Sequence, residues 1–438
     1  VRTFTAQDVL EKAQEYNVKF IRLQFTDIYG VFKNIAITVE ELERALEGCI
    51  PFDSSVIEGL RGNKESDIYL IPDPTTFQIF PWRPREGAVA RLICDVHSPD
   101  NRPFAGCSRW VLKKALKEAG ELGYRLQVGA EIEFFLFNLD ERGKPTTVTH
   151  DRAGYCDLTP VDLGENARRD MVLTLEEMGF DIASSHHEIA PGQHEISIKA
   201  DDALTMADKI ATFKFVVRTI AQRHGLHASF MPKPLPQHAG SGMNLHLSLW
   251  KDDKNAFYQQ DGRLSLSPLA FAFIAGVIHH ARAISAITNP LVNSYKRLVP
   301  SDVAPFLAAW SEENRSTSIR VPAHREENTV LALRSPDPTC NPYLAIAVVL
   351  KCGLDGVDKG MVPPDKLAER GNGQPKVMPA RLPSNLGQAL DALEKDDLVA
   401  GVLGRRIYNN YLEAKRQEWD KFQSEIHPWE LEQYLTYY

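Results

Sequence analysis

Gly129-Ala-Glu-Ile-Glu-Phe-Phe-Leu-Phe137 is the stretch that decides the fold. It falls inside a strand predicted over residues 125–138. Alternate side chains of a strand point to opposite faces, so Glu131 and Glu133 share one face and Ile132 takes the other. Two carboxylates side by side repel and need a cation or a proton between them. A solvated strand edge is the alternative, but the aromatic run that follows at once argues for burial.

Working outward, Ser185-His-His-Glu-Ile-Ala-Pro-Gly-Gln-His-Glu195 adds two carboxylates. Pro191-Gly192 predicts a turn across which Glu188 and Glu195 approach each other. With Glu133 they could form an all-carboxylate site for a hard cation such as Mg²⁺ or Mn²⁺. His186, His187 and His194 are read as ordinary hydrogen-bonding histidines. In Gly240-Ser-Gly-Met-Asn-Leu-His-Leu-Ser-Leu249, Asn244, His246 and Ser248 share a face, and the glycines before them let backbone approach a ligand closely. Ala332 and Arg334 share a face of another short strand. Arg297, Arg315, Arg320 and Arg334 suit carboxylate or phosphate recognition, and beside a carboxylate cluster they point to an anionic, metal-bridged substrate.

The remaining sequence frames this centre. Short β-type runs over residues 20–25, 31–37, 67–71 and 89–95 precede a turn-rich linker, Ser98–Gly106. Helices are predicted over 5–17, 164–178, 203–223, 268–287 and 341–354, with another opening at Ser108. Further strands are predicted over 194–199, 243–250 and 330–335. The pattern gives an α+β chain with two domains, 1–103 and 104–438. Of 438 residues, 43% are hydrophobic and 25% charged, with a formal net charge of -8, which argues against a general nucleic-acid binder. The most apolar run, Leu269–Ile278, is too short to span a bilayer, and the start, Val1-Arg-Thr-Phe-Thr, lacks a signal-peptide core. Six scattered cysteines without a CxxC pair read as reduced cytoplasmic thiols.

Several motifs, in register from about residue 5 to His427-Pro-Trp-Glu, carry a family resemblance. Phe25-Thr-Asp-Ile, Phe52-Asp-Ser-Ser, the 129–137 stretch, His186–Glu195, Gly240-Ser-Gly-Met, Asn293-Ser-Tyr-Lys-Arg-Leu-Val-Pro, Asn314-Arg-Ser and Arg334-Ser-Pro-Asp-Pro-Thr-Cys-Asn-Pro-Tyr are similar to type I glutamine synthetase, in its shorter, non-adenylylated form. The resemblance implies a β-grasp N-terminal domain, an antiparallel half-barrel catalytic domain and a cytoplasmic homo-dodecamer of two stacked hexameric rings. It implies ATP-dependent ligation of ammonium to glutamate with two divalent cations, Mg²⁺ or Mn²⁺.

By position, Glu133, Glu188 and Glu195 match one metal site and Glu131 belongs to the second. Gly240, Arg297 and Arg334 match the glutamate side. His246, Ser248, Arg315 and Arg320 match the nucleotide and phosphate side. Asp53 matches an aspartate donated by a neighbouring subunit, with Tyr155 near it.

Departures from the family pattern accompany these matches. Asn244 and Ala332 stand where the second metal has a histidine and a glutamate. Val303 stands where a flap glutamate serves the ammonium, and Val56 replaces a serine. Ala239, Ala200 and Gly62 also differ from the expected residues. The expectation drawn is a chain whose glutamine synthesis is impaired or lost while ligand binding persists. The alternatives are a ligase that takes an organic amine and an ordinary glutamine synthetase.

Overall fold

The structure is a computed structural model and describes residues 4–54, 67–84, 86–301, 304–368 and 378–438. Val56, Gly62 and Val303 lie outside these residues.

The N-terminal part opens with α1 (Ala6–Glu15), capped by Thr5 and Asp8 in a reciprocal box. The strands β1 (Val18–Thr26), β2 (Phe32–Thr38), β3 (Ile50–Asp53), β4 (Asp67–Pro72), β5 (Gln78–Ile79) and β6 (Ala88–His97) then form one sheet, with α2 (Leu42–Leu46) between β2 and β3. Its order is β2-β1-β6-β4-β3, with β5 also on β6. The central pair β1 and β6 is parallel, and its neighbours are antiparallel. This is a β-grasp arrangement, with Ile21, Leu23, Leu70, Ala90 and Leu92 buried beneath the sheet.

The larger part starts at α3 (Ser108–Glu121). A ten-stranded sheet is built around β7 (Arg125–Leu139), a 15-residue strand. β8 (Pro145–Thr149) folds back on it. After α4 (Glu165–Glu177) come β9 (Ile182–His187), β10 (Gln193–Asp202), α5 (Ala203–Arg223), β11 (Leu226–Ser229), β12 (Met243–Lys251) and β13 (Lys254–Asn255). α6 (Pro268–Thr288) and α7 (Ser294–Arg297) precede β14 (Leu307–Ser311), β15 (Thr317–Arg320) and β16 (Leu331–Leu333). The order β14-β15-β16-β12-β7-β10-β9 is the half-barrel. It is antiparallel except at β14 and β15, which run parallel.

The chain ends in α8 (Pro342–Asp358), α9 (Leu386–Leu393), α10 (Asp397–Ser424) and α11 (Pro428–Tyr434). α6 and α8 cross at contact distance because both are glycine there. A Cβ on Gly276 would lie 2.2 Å from the Cys352 carbonyl oxygen, and one on Gly356 2.1 Å from that of Ala272. α6, expected over 268–287, also corrects the length argument made from Leu269–Ile278. Its 21 residues are long and apolar enough to cross a membrane, yet 78% of the apolar window is buried within the fold. Burial, not length, identifies it as a core helix.

One buried arginine ties the two parts together. Arg109 of α3 is 3% exposed. It donates to Asp73 (2.7 Å) and Asp95 (3.0 Å) from the N-terminal part and to both oxygens of Asp208 on α5 (3.0 and 2.8 Å).

Candidate active site

Register explains how distant residues meet. β10 pairs antiparallel with β7, placing Glu195 opposite Glu133 and Ser197 opposite Glu131. β12 pairs with the other edge of β7, placing Asn244 opposite Glu131. β16 follows, with Ala332 opposite His246, and then β15, with Arg320 opposite Ala332. The alternation expected within β7 and β12, combined with this register, puts Glu131, Glu133, Glu195, Asn244, His246, Ala332 and Arg320 on one face of four adjoining strands and β10, although β15, which carries Arg320, was not among the expected strands.

The turn at Pro191-Gly192 forms as expected and returns Glu188 to Glu195. One ligand atom from each of His186, Glu188 and Glu195 lies within 4.8 Å of the others. His186 Nε2 is 3.0 Å from Glu188 Oε1, and the Ile189 N–H donates to Glu188 Oε2 (2.9 Å). Glu133 Oε2 accepts from the Gln193 side chain (3.0 Å) and from the Gly242 N–H (2.8 Å). Burial, reinforced by the charges of Glu188 and Glu195, pushes Glu133 up to about 8. Burial, with Glu131 and Glu188, likewise pushes Glu195 up to about 8. Such a set resists ionisation unless a cation joins it, and its oxygen donors fit a hard divalent ion.

Glu131 behaves differently. Burial would raise it, but the His246 imidazole, the Asn244 amide and the Arg320 charge hold it down at about 2. Asn244 Nδ2 donates to Glu131 Oε2 at 2.8 Å. His246 Nε2 lies 2.9 Å from Glu131 Oε1.

All four candidate arginines converge. Arg297 is fixed by donating to the carbonyls of Ser335 and Arg334, both at 2.9 Å. Its position depends on Gly242, where a Cβ would lie 2.4 Å from Arg297 Nη2. Gly240 is equally confined, with the Pro232 carbonyl oxygen 2.2 Å from where its Cβ would be. Arg334 donates to the Arg315 carbonyl at 2.5 Å. Burial and the charges of Arg297, Arg320 and Arg315 lower Arg334 to about 10. Arg297 lies in the field of Glu133 and Arg320 in that of Glu131, so the cluster is a cationic surface facing the carboxylates.

Other candidates are dispersed. Tyr155 is exposed, with its ring edge-on to His186 at 5.3 Å. Ser248 is buried, and its hydroxyl accepts from Trp250 Nε1. Asp53 stands apart, exposed on edge strand β3 of the other sheet.

Sequence reading missed the network behind the carboxylates. Asp151 accepts from His187 Nε2 (3.0 Å) and the Gly192 N–H (2.9 Å) through Oδ1, and from the Leu163 N–H (3.2 Å) through Oδ2. Arg168 pairs with Asp162 (2.8 Å) and donates to His194 Nδ1 (2.8 Å). The available signal was the pair of histidines flanking the turn, since buried histidines need partners.

Known proteins agree with this geometry. The family model "Glutamine synthetase, beta-Grasp domain" matches residues 17–99, and "Glutamine synthetase, catalytic domain" matches 105–434. The chain is 52% identical to glutamine synthetase of Clostridium saccharobutylicum, with 99% of each chain covered. It is 51% identical to that of Thermus thermophilus, covering 99% of this chain and 100% of the relative. A solved GmaS/ADP complex superposes with a TM-score of 0.89 at 32% identity, over 98% of this chain and 99% of that one. Plasmodium falciparum glutamine synthetase shares the fold, with a TM-score of 0.89 at 24% identity over 99% of both chains. The expectation of impaired or lost glutamine synthesis is overturned by these relatives. Identity near one half along the whole length, to proteins that are themselves glutamine synthetases, supports ordinary activity instead. The chain belongs to the glutamine synthetase family.

Proposed function

We propose that this protein is an ordinary glutamine synthetase. It joins ammonium to the side-chain carboxylate of glutamate, with ATP as phosphoryl donor and Mg²⁺ or Mn²⁺ as cofactor. The observation that supports this most is the meeting of a buried carboxylate cluster and four converging arginines at one face of the half-barrel.

In this reading Glu133, Glu188 and Glu195 hold one divalent cation, and Glu131 belongs to a second. When bound, such ions supply charge neutralisation to phosphoryl transfer. Arg297 and Arg334 orient glutamate beside the Gly240 loop. Arg315 and Arg320, both exposed, face the nucleotide phosphates, with His246 and Ser248 on the same side. Phosphate passes from ATP to the glutamate side chain, and ammonia then displaces it. Positioned charge carries most of the acceleration, because removing one such stabilising group commonly costs 10²- to 10³-fold.

Asp53 reaches an active site only when it is donated by a neighbouring subunit. We place the chain in a cytoplasmic homo-dodecamer of two stacked hexameric rings, with Asp53 and Tyr155 meeting across the subunit boundary. The test is phosphate release with ATP, glutamate and Mg²⁺, first with ammonium and then with a panel of organic amines. Ammonium-dependent release supports the proposal. Release only with an organic amine, the acceptor that Val56 and Val303 would favour, overturns it.

A further inference from the structure

Glu131, Asn244 and His246 meet on one face of β7 and β12. Asn244 donates to one carboxylate oxygen of Glu131, Oε2, which leaves Oε1 turned toward His246. His246 Nε2 is buried and makes an ion-pair contact with Oε1 at 2.9 Å that is out of line for a well-directed hydrogen bond. A buried ring nitrogen whose one contact is poorly directed keeps bonding capacity that a shared ligand would use. Two ligand atoms in adjacent positions of an octahedral cation, each about 2.1 Å from it, lie about 3.0 Å apart. The observed separation matches that edge.

The neighbours agree with a ligand role. His246 stands opposite Ala332, whose methyl group offers no competing donor. Ser197, opposite Glu131, donates to Glu195 Oε1 at 3.0 Å, so the Glu131 site adjoins the Glu133–Glu188–Glu195 set along β10.

We infer that His246 and Glu131 are the protein ligands of the second divalent cation, with Asn244 orienting the Glu131 carboxylate. The imidazole takes over, from two residues further along the same face of β12, a role for which Ala332 has no donor atom and Asn244 offers only a weak neutral amide oxygen. This assignment rests on the divalent-cation reading of the proposed function.

The test counts ions rather than turnover. Free Mn²⁺ is titrated by electron paramagnetic resonance into the assembled protein, as wild type, His246→Ala and Glu131→Gln. Thermal unfolding and size-exclusion chromatography verify each fold. Wild type is expected to bind two Mn²⁺ per chain, and each variant to retain one and weaken the other at least about 100-fold. The double variant His246→Ala/Ala332→Glu, which restores a carboxylate opposite position 246, is expected to regain the second ion. Two unweakened ions in folded His246→Ala, or a single ion in wild type, would overturn the assignment. Because the count needs no substrate, loss of the ion in a protein that makes no glutamine would sink the proposed function and leave this assignment standing.

Discussion

Stripping divalent cations from this protein should make its stability depend on pH in a way the metal-loaded form does not share. Glu133 and Glu195 are each held at about 8 in the metal-free fold, against an ordinary 4.5. A raised carboxyl binds its proton more tightly folded than unfolded, so between about 4.5 and 8 the native state carries more protons. Stability must then fall as pH rises through that window. A shift of about 3.5 units corresponds to roughly 5 kcal/mol for one carboxyl, at about 1.4 kcal/mol per unit. Repulsion shared within the cluster keeps the pair below twice that. A bound cation favours the ionised form and removes the dependence. Unfolding temperatures at pH 5.5, 6.5, 7.5 and 8.5, with EDTA and with excess Mg²⁺, give the comparison. The two curves should lie close at pH 5.5 and diverge steadily, the EDTA curve dropping by several degrees more. Parallel curves would refute the reasoning, because every other titrating group contributes equally to both.

Gly242→Ala should raise the KM for glutamate about 10-fold or more with a smaller effect on ATP, since the new methyl would press on Arg297 Nη2 and overpacking of this kind costs about 1–3 kcal/mol. Steady-state kinetics with each substrate varied checks this. Asp151→Asn should weaken metal activation about 10- to 100-fold while leaving the fold intact, because Asp151 anchors both sides of the turn that carries Glu188 and Glu195; Mn²⁺ activation curves read it out. Arg109→Met should cost about 3–5 kcal/mol, measured by denaturant unfolding, because it leaves buried Asp208 without its cation and Asp73 and Asp95 with Lys113 alone.

Strand alternation made much of the catalytic face legible. Glu131 and Glu133, and Asn244 and His246, share faces because period two is fixed by the backbone, and β7 is long and apolar enough to be unmistakable, whereas Arg320 joins them only through the pairing of β15 with β16. The Pro191-Gly192 turn was legible for the same local reason. Non-local partners were not. Nothing near Asp151 or Arg168 in sequence announces that they close around His187 and His194, because those contacts are set by packing of α4 and the loop before it. The two-residue spacing of Asn244 and His246 placed both on the right face, but only register with β7 and β16 shows the imidazole against Glu131 and opposite Ala332. The imidazole beside Glu131 is therefore visible only in the assembled sheet. Helix α10 is interrupted in pattern by Gly404, whose φ of 74° breaks the helical run.

The central claim is glutamine synthesis, and product identification tests it most directly. Purified protein is incubated with ATP, glutamate, Mg²⁺ and ¹⁵N-ammonium, and the products are read by nuclear magnetic resonance and mass spectrometry. The account predicts ¹⁵N in the side-chain amide of glutamine, with one phosphate released per amide formed. Metal-replete, fully assembled protein that yields no labelled glutamine would contradict it.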